Sequence, residues 1–408
     1  MIDVIVIGGG ASGMLAAAVS AKSGADTLLL ERNERVGRKL IITGKGRCNI
    51  TNDSDVNKVL ENIPNGGKFL YSALTGFPPG EVMRFFEALG VPLKTERGGR
   101  VFPQSDKAVD IVDALRRNVL QSGATIKCRY VMGIRVCGEN LFEVITSDGV
   151  MQCKSVILAT GGMSYPATGS TGDGYKFAEK LGHTVTKLRG SLVPLSAEPE
   201  LCSLMQGLAL KNVKLSVFDG GKKAIFTDFG ELLFTHFGLS GPLTLSASAH
   251  MREFDNKSYH VTIDLKPALD EKKLDLRILR DFEKYKSRDF SNALGDLLHK
   301  SMIPIIIQKS GIPPDKKVHS ITREERISLN NQIKSFAICI DGPRPVDEAI
   351  ITSGGVSLKE INPKTMESKL VKGLYFVGEI LDADAYTGGY NLQIAWSTAF
   401  AAGKAAAG

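Results

Sequence analysis

Gly8, Gly10 and Gly13 follow directly on the β-branched run Asp3-Val4-Ile5-Val6-Ile7, and this conjunction constrains the fold more than any other feature of the chain. A G-x-G-x-x-G turn is informative when a strand precedes it, a helix follows it and an acid closes the next strand. All three conditions are met. The alanine-rich segment from Met14 to Ser23 reads as a helix halted by Gly24, and Thr27-Leu28-Leu29-Leu30-Glu31 reads as the second strand. The result is a βαβ crossover of about thirty residues, the start of a doubly wound α/β sheet. Gly8 permits the tight turn, Gly10 lets the main chain approach a pyrophosphate, and Gly13 lets the helix lie against the strand. The first helical amides, at Ala11 and Ser12, then present the positive end of the helix dipole to phosphate. Glu31, eighteen residues beyond Gly13, can accept hydrogen bonds from both ribose hydroxyls of an adenosine. A carboxylate there repels a 2′-phosphate, so NADP is not expected as the resident nucleotide.

At 408 residues the chain exceeds the roughly 250 to 300 at which a single core stops growing, so more than one substructure is expected. A composition of 43% hydrophobic and 23% charged residues excludes collagen-like and disordered classes. Apolar runs break off before the ~18 to 20 residues of a membrane span. MIDVIVIGGG carries neither a basic leader nor a cleavage site, so a cytoplasmic protein without a membrane partner is expected. The six cysteines, Cys48, Cys128, Cys137, Cys153, Cys202 and Cys339, are too scattered for metal or redox pairs, and no metal site is expected. The net charge of +7 is spread along the chain among acids and leaves an anionic partner open without requiring one.

Helical spacing over 107–121, with Gly123 as the stop, is followed by strands over 125–158 that read as a small meander: TIKCRYVMGIRV, LFEVITSD and SVILATGG. From about 190 the pattern changes, strand-rich over 194–265 and helical and charged over 268–332. We therefore expect a dinucleotide-binding domain made of 1–189 and 341–408, interrupted by an inserted mixed β/α domain over 190–340. A strand at Leu374-Tyr375-Phe376-Val377 and a helix ending at Ala402 would rejoin the first domain.

Two later segments choose FAD over NAD. Val156 to Leu158 ends in Ala159-Thr160-Gly161-Gly162, and Leu374 to Val377 runs into Gly378-Glu379, then Asp382, then Gly388-Gly389-Tyr390-Asn391-Leu392 opening a helix. Glu379 can bind ribitol hydroxyls, and amides at the start of the last helix can face the flavin edge where negative charge gathers on reduction. Between these ends lies a segment rich in glycine and cations, Gly37-Arg38-Lys39 and Gly44-Lys45-Gly46-Arg47-Cys48-Asn49, whose glycines allow close approach and whose Arg38 or Lys39 can balance the diphosphate. Arg32 and Val131 complete the residues assigned to the cofactor. No second G-x-G-x-x-G follows a strand, and the run Gly169, Gly172, Gly174 has the wrong spacing, so NADH or NADPH would visit the flavin transiently. Cys48 lacks the neighbouring cysteine that disulfide reductases of this fold need.

The run Gly44 to Asn49 with Thr51-Asn52, Gly99-Arg100-Val101-Phe102-Pro103, Gly230-Glu231-Leu232-Leu233-Phe234-Thr235-His236, Thr352-Ser353-Gly354-Gly355-Val356 and Gly388 to Gln393 together resemble the BaiN-type NAD(P)/FAD-dependent flavoproteins. That family includes a bile-acid reductase, an aminoacetone oxidase and a ribosomal RNA dihydrouridine synthase. The resemblance spans nearly the whole chain and implies a glutathione-reductase-like FAD domain with an insert, and an oxidoreductase that positions its substrate against flavin N5.

The reaction expected first is reduction of a C=C bond conjugated to a carbonyl, with amine oxidation as the mechanistic alternative and a non-catalytic flavin protein as the different-class one. His236 and Tyr390 are the candidate proton donors, although a lone histidine among aromatics is more often structural. Substrate identity is the least constrained. Of the substrates the resemblance implies, a small apolar enone is expected first, a 3-oxo-Δ4 or Δ4,6 bile-acid steroid covered by Phe234, Phe237 and Leu239, with uracil in ribosomal RNA close behind. No obligatory protein partner is evident.

Overall fold

A computed structural model describes residues 1–408. The chain divides into two compact units, one formed by Met1–Ser191 with Val346–Gly408 and the other by Leu192–Pro345.

The first unit is built on a seven-stranded sheet. Ile2–Ile7 lies at its centre, parallel to Thr27–Glu31 on one side and to the end of Gly149–Leu158 on the other. Thr125–Cys128 extends the parallel array beyond Thr27–Glu31, and Leu374–Phe376 pairs with Val156 to Leu158. The ten residues of Gly149–Leu158 serve two purposes: their first half closes an antiparallel meander with Leu141–Thr146 and Val131–Gly138, and their second half enters the parallel core. The segment read as one run over 125–136 therefore divides at Arg129 and Tyr130, because its two halves pair with different partners in opposite senses.

Val4, Ile5, Val6 and Leu29 are fully buried, as strands covered on both faces must be. Helix Ala11–Lys22 covers one face and packs along the C-terminal helix Tyr390–Ala407. That last helix runs five residues past Ala402, through Gly403. The reason is local packing: a Cβ at Gly403 would stand 2.8 Å from the Ala16 carbonyl oxygen, so the glycine marks the crossing of two helices and not a stop.

The second unit carries an antiparallel sheet in the order Phe336–Ile340, Tyr259–Asp264, Ala209–Phe218, Phe226–Thr235, Gly238–Ser240, Leu195–Ser196, Gly342–Pro343. Helices Glu271–Lys284 and Arg323–Lys334 bury Leu274, Ile278, Leu329 and Ile333 in the same apolar cluster as the sheet's Val261, Ile263, Phe336 and Ile338. The charged sequence over 268–332 is thus amphipathic, with its apolar stripe on the core. No helix of the chain is long and apolar enough to cross a membrane.

Candidate functional site

A cleft in the first unit is lined by Gly8, Gly9, Gly10, Ala11, Ser12, Glu31, Arg32, Gly37, Arg38, Lys39, Val131, Ala159, Thr160, Gly161, Gly378, Glu379, Asn391 and Leu392. Most of the residues assigned to a dinucleotide from sequence therefore meet in one place. The backbone explains the glycines individually. Gly8 has φ +106°, and a Cβ there would fall 2.5 Å from the Ala159 carbonyl oxygen. At Gly13 a Cβ would fall 1.8 Å from the Gly8 oxygen, which is why Gly13 serves helix-to-strand packing and does not line the cleft. Gly10 is different: φ is −80°, and a Cβ would meet no protein atom within 4 Å. Neither conformation nor packing demands glycine there, only the open room of the cleft.

Glu31 is held on both carboxylate oxygens. The Gly9 N–H donates to Oε2 at 2.7 Å, while the N–H and side-chain amide of Asn33 donate to Oε1 at 2.9 and 2.6 Å. Asn33 also donates to the Thr168 carbonyl at 3.2 Å and accepts from Arg38 Nη1 at 2.8 Å, so one amide ties the acid, the Arg38 side chain and the loop at Thr168 together. Oε1 is already used by two donors, whereas Oε2, with one, keeps lone-pair capacity for a ribose hydroxyl. Alongside, Arg32 donates to Thr171 Oγ1 at 2.7 Å, pairs with Asp173 at 3.1 Å and lies 4.8 Å from the Tyr130 ring centroid.

At the other end of the cleft, Lys39 Nζ stands 2.6 Å from Glu379 Oε2 and 2.7 Å from Ser164 Oγ. Glu379 Oε1 accepts from the Thr352 N–H at 2.9 Å and from Ser164 Oγ at 3.1 Å. Thr352 Oγ1 in turn accepts from the Met163 N–H at 2.7 Å. Three segments distant in sequence thus converge on the Glu379 carboxylate. The second glycine of A-T-G-G follows from this crowding, since a Cβ at Gly162 would lie 2.3 Å from Thr352 Oγ1 and 2.7 Å from Glu379 Oε1. Lys39 was expected on a diphosphate; here its charge is matched by Glu379.

Several expected residues lie outside the cleft lining. Arg47 pairs with Glu96 at 2.8 Å and Asp106 at 3.2 Å and sits 4.0 Å over the Phe102 ring, so its cation is committed to the R-V-F-P segment. Cys48 is fully buried, and burial pushes its thiol up to about 12, where no thiolate forms at neutral pH. Asn49 accepts from the Val101 N–H at 3.1 Å, and Gly44 and Gly46 belong to an exposed left-handed turn. Asp382 accepts from the Asn65 amide at 2.8 Å. Gly389 lies where a Cβ would collide with the Thr51 carbonyl at 2.3 Å, so a chain crossing already requires glycine there. Asn391 lines the cleft, but its amide group closes the preceding loop on the Ala385 N–H and carbonyl at 2.8 and 2.7 Å, leaving the backbone to face a ligand.

Of the two candidate proton donors, Tyr390 is 7% exposed, lies outside the cleft lining, and has its hydroxyl pKa raised by burial. His236 belongs to the second unit, in an exposed turn, edge-on to Phe237 with centroids 5.1 Å apart. Phe234 and Leu239, expected to cover a substrate, are fully buried in that unit's own core.

Sequence reasoning missed Asn33, Ser164 and Thr352, and it set aside the run Gly169, Gly172, Gly174, whose loop lines the cleft with Gly169, Ser170, Thr171 and Asp173. The signal available was the hydroxyl- and glycine-rich run Ser164 to Gly174 immediately after A-T-G-G.

These residues fit FAD. Thr160 supplies a buried hydroxyl with no protein partner on the cleft wall, and Gly10 leaves room that no protein atom uses. Ala11 and Ser12 at the helix N-terminus would hold the diphosphate, Glu31 the adenosine ribose, and Glu379 the ribitol side.

Comparison with known proteins agrees with this reading. The chain is 31% identical over 411 residues to a 3-dehydro-bile acid Δ(4,6)-reductase of Clostridium scindens, covering 98% of each chain. It is 31% identical over 400 residues to the ribosomal RNA dihydrouridine synthase of Escherichia coli, covering 98% of this chain and 96% of that protein. Its fold is shared by the 3-ketosteroid Δ1-dehydrogenase of Sterolibacterium denitrificans, with TM-score 0.51 at 13% identity, covering 100% of this chain and 99% of that one. Residues 2–405 match the HI0933-like protein Rossmann domain. The chain belongs to the HI0933-like Rossmann family of flavoproteins and is an FAD-dependent oxidoreductase.

Proposed function

We propose that the chain reduces a C=C bond conjugated to a carbonyl, with NADH or NADPH as transient electron source, and that its substrate is uracil in ribosomal RNA. FAD, held by Ala11, Ser12, Glu31 and Glu379, would supply the hydride chemistry that links the nicotinamide to the carbon β to the carbonyl. A Δ(4,6)-reductase and a dihydrouridine synthase, as the two relatives are named, both saturate such a bond.

The choice of uracil over the steroid favoured by the sequence rests on one observation. Phe234 and Leu239, the side chains meant to form an apolar cover, are 0% exposed. What the same turn offers instead is Phe237 with the Arg344 guanidinium 4.6 Å from its ring centroid and His236 against its edge. A cationic, aromatic surface suits a base and its phosphate better than a hydrocarbon. Of the two candidate proton donors, His236 has an exposed ring and Tyr390 is buried. The test is anaerobic: reduce the holoenzyme with NAD(P)H, then add either unmodified large-subunit ribosomal RNA or a 3-oxo-4,6-diene steroid. Flavin reoxidation by the RNA, with dihydrouridine found by mass spectrometry, supports the reading. Reoxidation by the steroid alone overturns the choice of substrate.

A further inference from the structure

We propose that the outer face of the second unit's sheet is a platform for single-stranded RNA, an inference that rests on the RNA reading above. Four adjacent strands, Phe336–Ile340, Tyr259–Asp264, Ala209–Phe218 and Phe226–Thr235, bury one set of alternate residues against the helices. Register places the other set on the opposite face in three rows. Cys339, His260 and Phe218 form the first row, with Ile225 at its end; Ala337, Thr262, Ser216 and Thr227 form the second; Asp264, Lys214 and Phe229 form the third.

This face carries rings where a soluble sheet would ordinarily carry charge. Phe218 and His260, directly opposite on the two central strands, stack with centroids 5.0 Å apart and planes 7° from parallel. Phe229 is 56% exposed and Ile225 38% exposed, so no other part of the chain covers them. Between the rings the middle row is largely hydroxyls, and Thr227 Oγ1 donates to Ser216 Oγ at 2.9 Å. Lys214 lies on the face, with exposed Lys211, Lys222 and Lys223 along the same hairpin. Asp264 and Asp219 are neutralised by Lys334 at 2.6 Å and Lys257 at 3.1 Å; the exposed acids of Phe226–Thr235 are Glu231 and Asp228, and register turns Asp228 to the other side of the sheet, with Leu215. Separated aromatic rings, hydroxyls between them and lysines along the margin match a chain of unpaired bases on a phosphate backbone. An interface with a second copy of the chain would be more continuously apolar and poorer in lysine.

The experiment uses the holoenzyme and a fluorescein-labelled single-stranded oligouridine, with a duplex of equal length as control, read by anisotropy. Phe229→Ala and the double variant Phe218→Ala/His260→Ala should each weaken single-strand binding about fivefold or more. Lys214→Gln should reduce the salt dependence of binding. Thermal melting and bleaching of the flavin by NAD(P)H should be unchanged in all three. Unchanged affinity in both aromatic variants, preference for the duplex, or a self-association of the wild type abolished by Phe229→Ala would each overturn the platform. Its failure is distinguishable from failure of the substrate reading. If the aromatic variants bind and reduce ribosomal RNA as the wild type does, the platform falls and the substrate stands. If they lose single-strand binding while the wild type forms no dihydrouridine, the platform stands and the substrate falls.

Discussion

Gly10→Ala separates a glycine required by the fold from one required by the ligand. A Cβ at Gly10 meets no protein atom within 4 Å, and its φ of −80° is open to any residue. The apoprotein should therefore be as stable as the wild type to within about 0.5 kcal/mol, or a few tenths more stable because alanine restricts the unfolded chain. FAD binding should suffer, because the methyl group occupies the space through which main-chain amides approach the diphosphate. Loss of one or two charge-assisted hydrogen bonds, each about 1.5 to 3 kcal/mol, corresponds to roughly a hundredfold weaker affinity. Gly13→Ala should behave in the opposite order: its Cβ would fall 1.8 Å from the Gly8 oxygen, and the overpacking should cost about 3 kcal/mol before any cofactor is added. Urea denaturation of the apoproteins and titration with FAD by fluorescence measure the two quantities separately. The reasoning is refuted if Gly10→Ala binds FAD like the wild type, or if its apoprotein is destabilised as much as that of Gly13→Ala.

Lys39→Met leaves Glu379, whose side chain is 15% exposed, without its cation, and should lower apoprotein stability by about 2 kcal/mol; the double variant with Glu379→Gln should recover at least half of that loss, and strict additivity in denaturant melts would count against the coupling. Cys48, Cys153 and Cys202 are buried with thiols pushed up to about 12, while Cys128, Cys137 and Cys339 are exposed. A thiol reagent at pH 8 should therefore count three groups in the native protein and six after denaturation. His183 is buried, with Nε2 2.9 Å from Ser368 Oγ and Nδ1 3.2 Å from Glu360, and burial lowers its pKa from 6.5. The unfolded chain then binds the proton more readily than the folded one, so stability should fall as pH drops below about 6.5 and be level above it. His183→Gln should flatten that slope in melts taken from pH 7.5 to 5.

The nucleotide end of the site was legible because it is written in local backbone geometry. A strand, three glycines, a helix and Glu31 lie within the first 31 residues, and each glycine's role follows from its position in one turn. The Glu379 end was only half legible. Its acid stands out after a buried strand, but Lys39, Ser164 and Thr352 reach it from positions up to 340 residues away, and no spacing rule joins them. Asn33 was invisible for a different reason, being a short amide in a loop whose importance depends on three partners at once. Arg47 shows the reverse. A cation in the glycine-rich segment was counted with the cofactor residues, whereas Glu96 and Asp106 claim it in space. The misjudged substrate cover had a readable clue: Leu232 and Phe234 alternate along a strand, a period-two pattern that places both on the buried face.

The central claim is that the chain is a flavin enzyme that passes electrons to a conjugated C=C bond. Anaerobic absorbance spectroscopy of the purified holoenzyme tests it most directly, by adding NAD(P)H and then, once the nicotinamide is exhausted, the acceptor. The account predicts a flavin band that bleaches on the first addition and returns on the second, with one double bond saturated per FAD reoxidised. A protein that yields no FAD on extraction, or a reduced flavin that neither uracil-containing ribosomal RNA nor a conjugated dienone reoxidises, would contradict it.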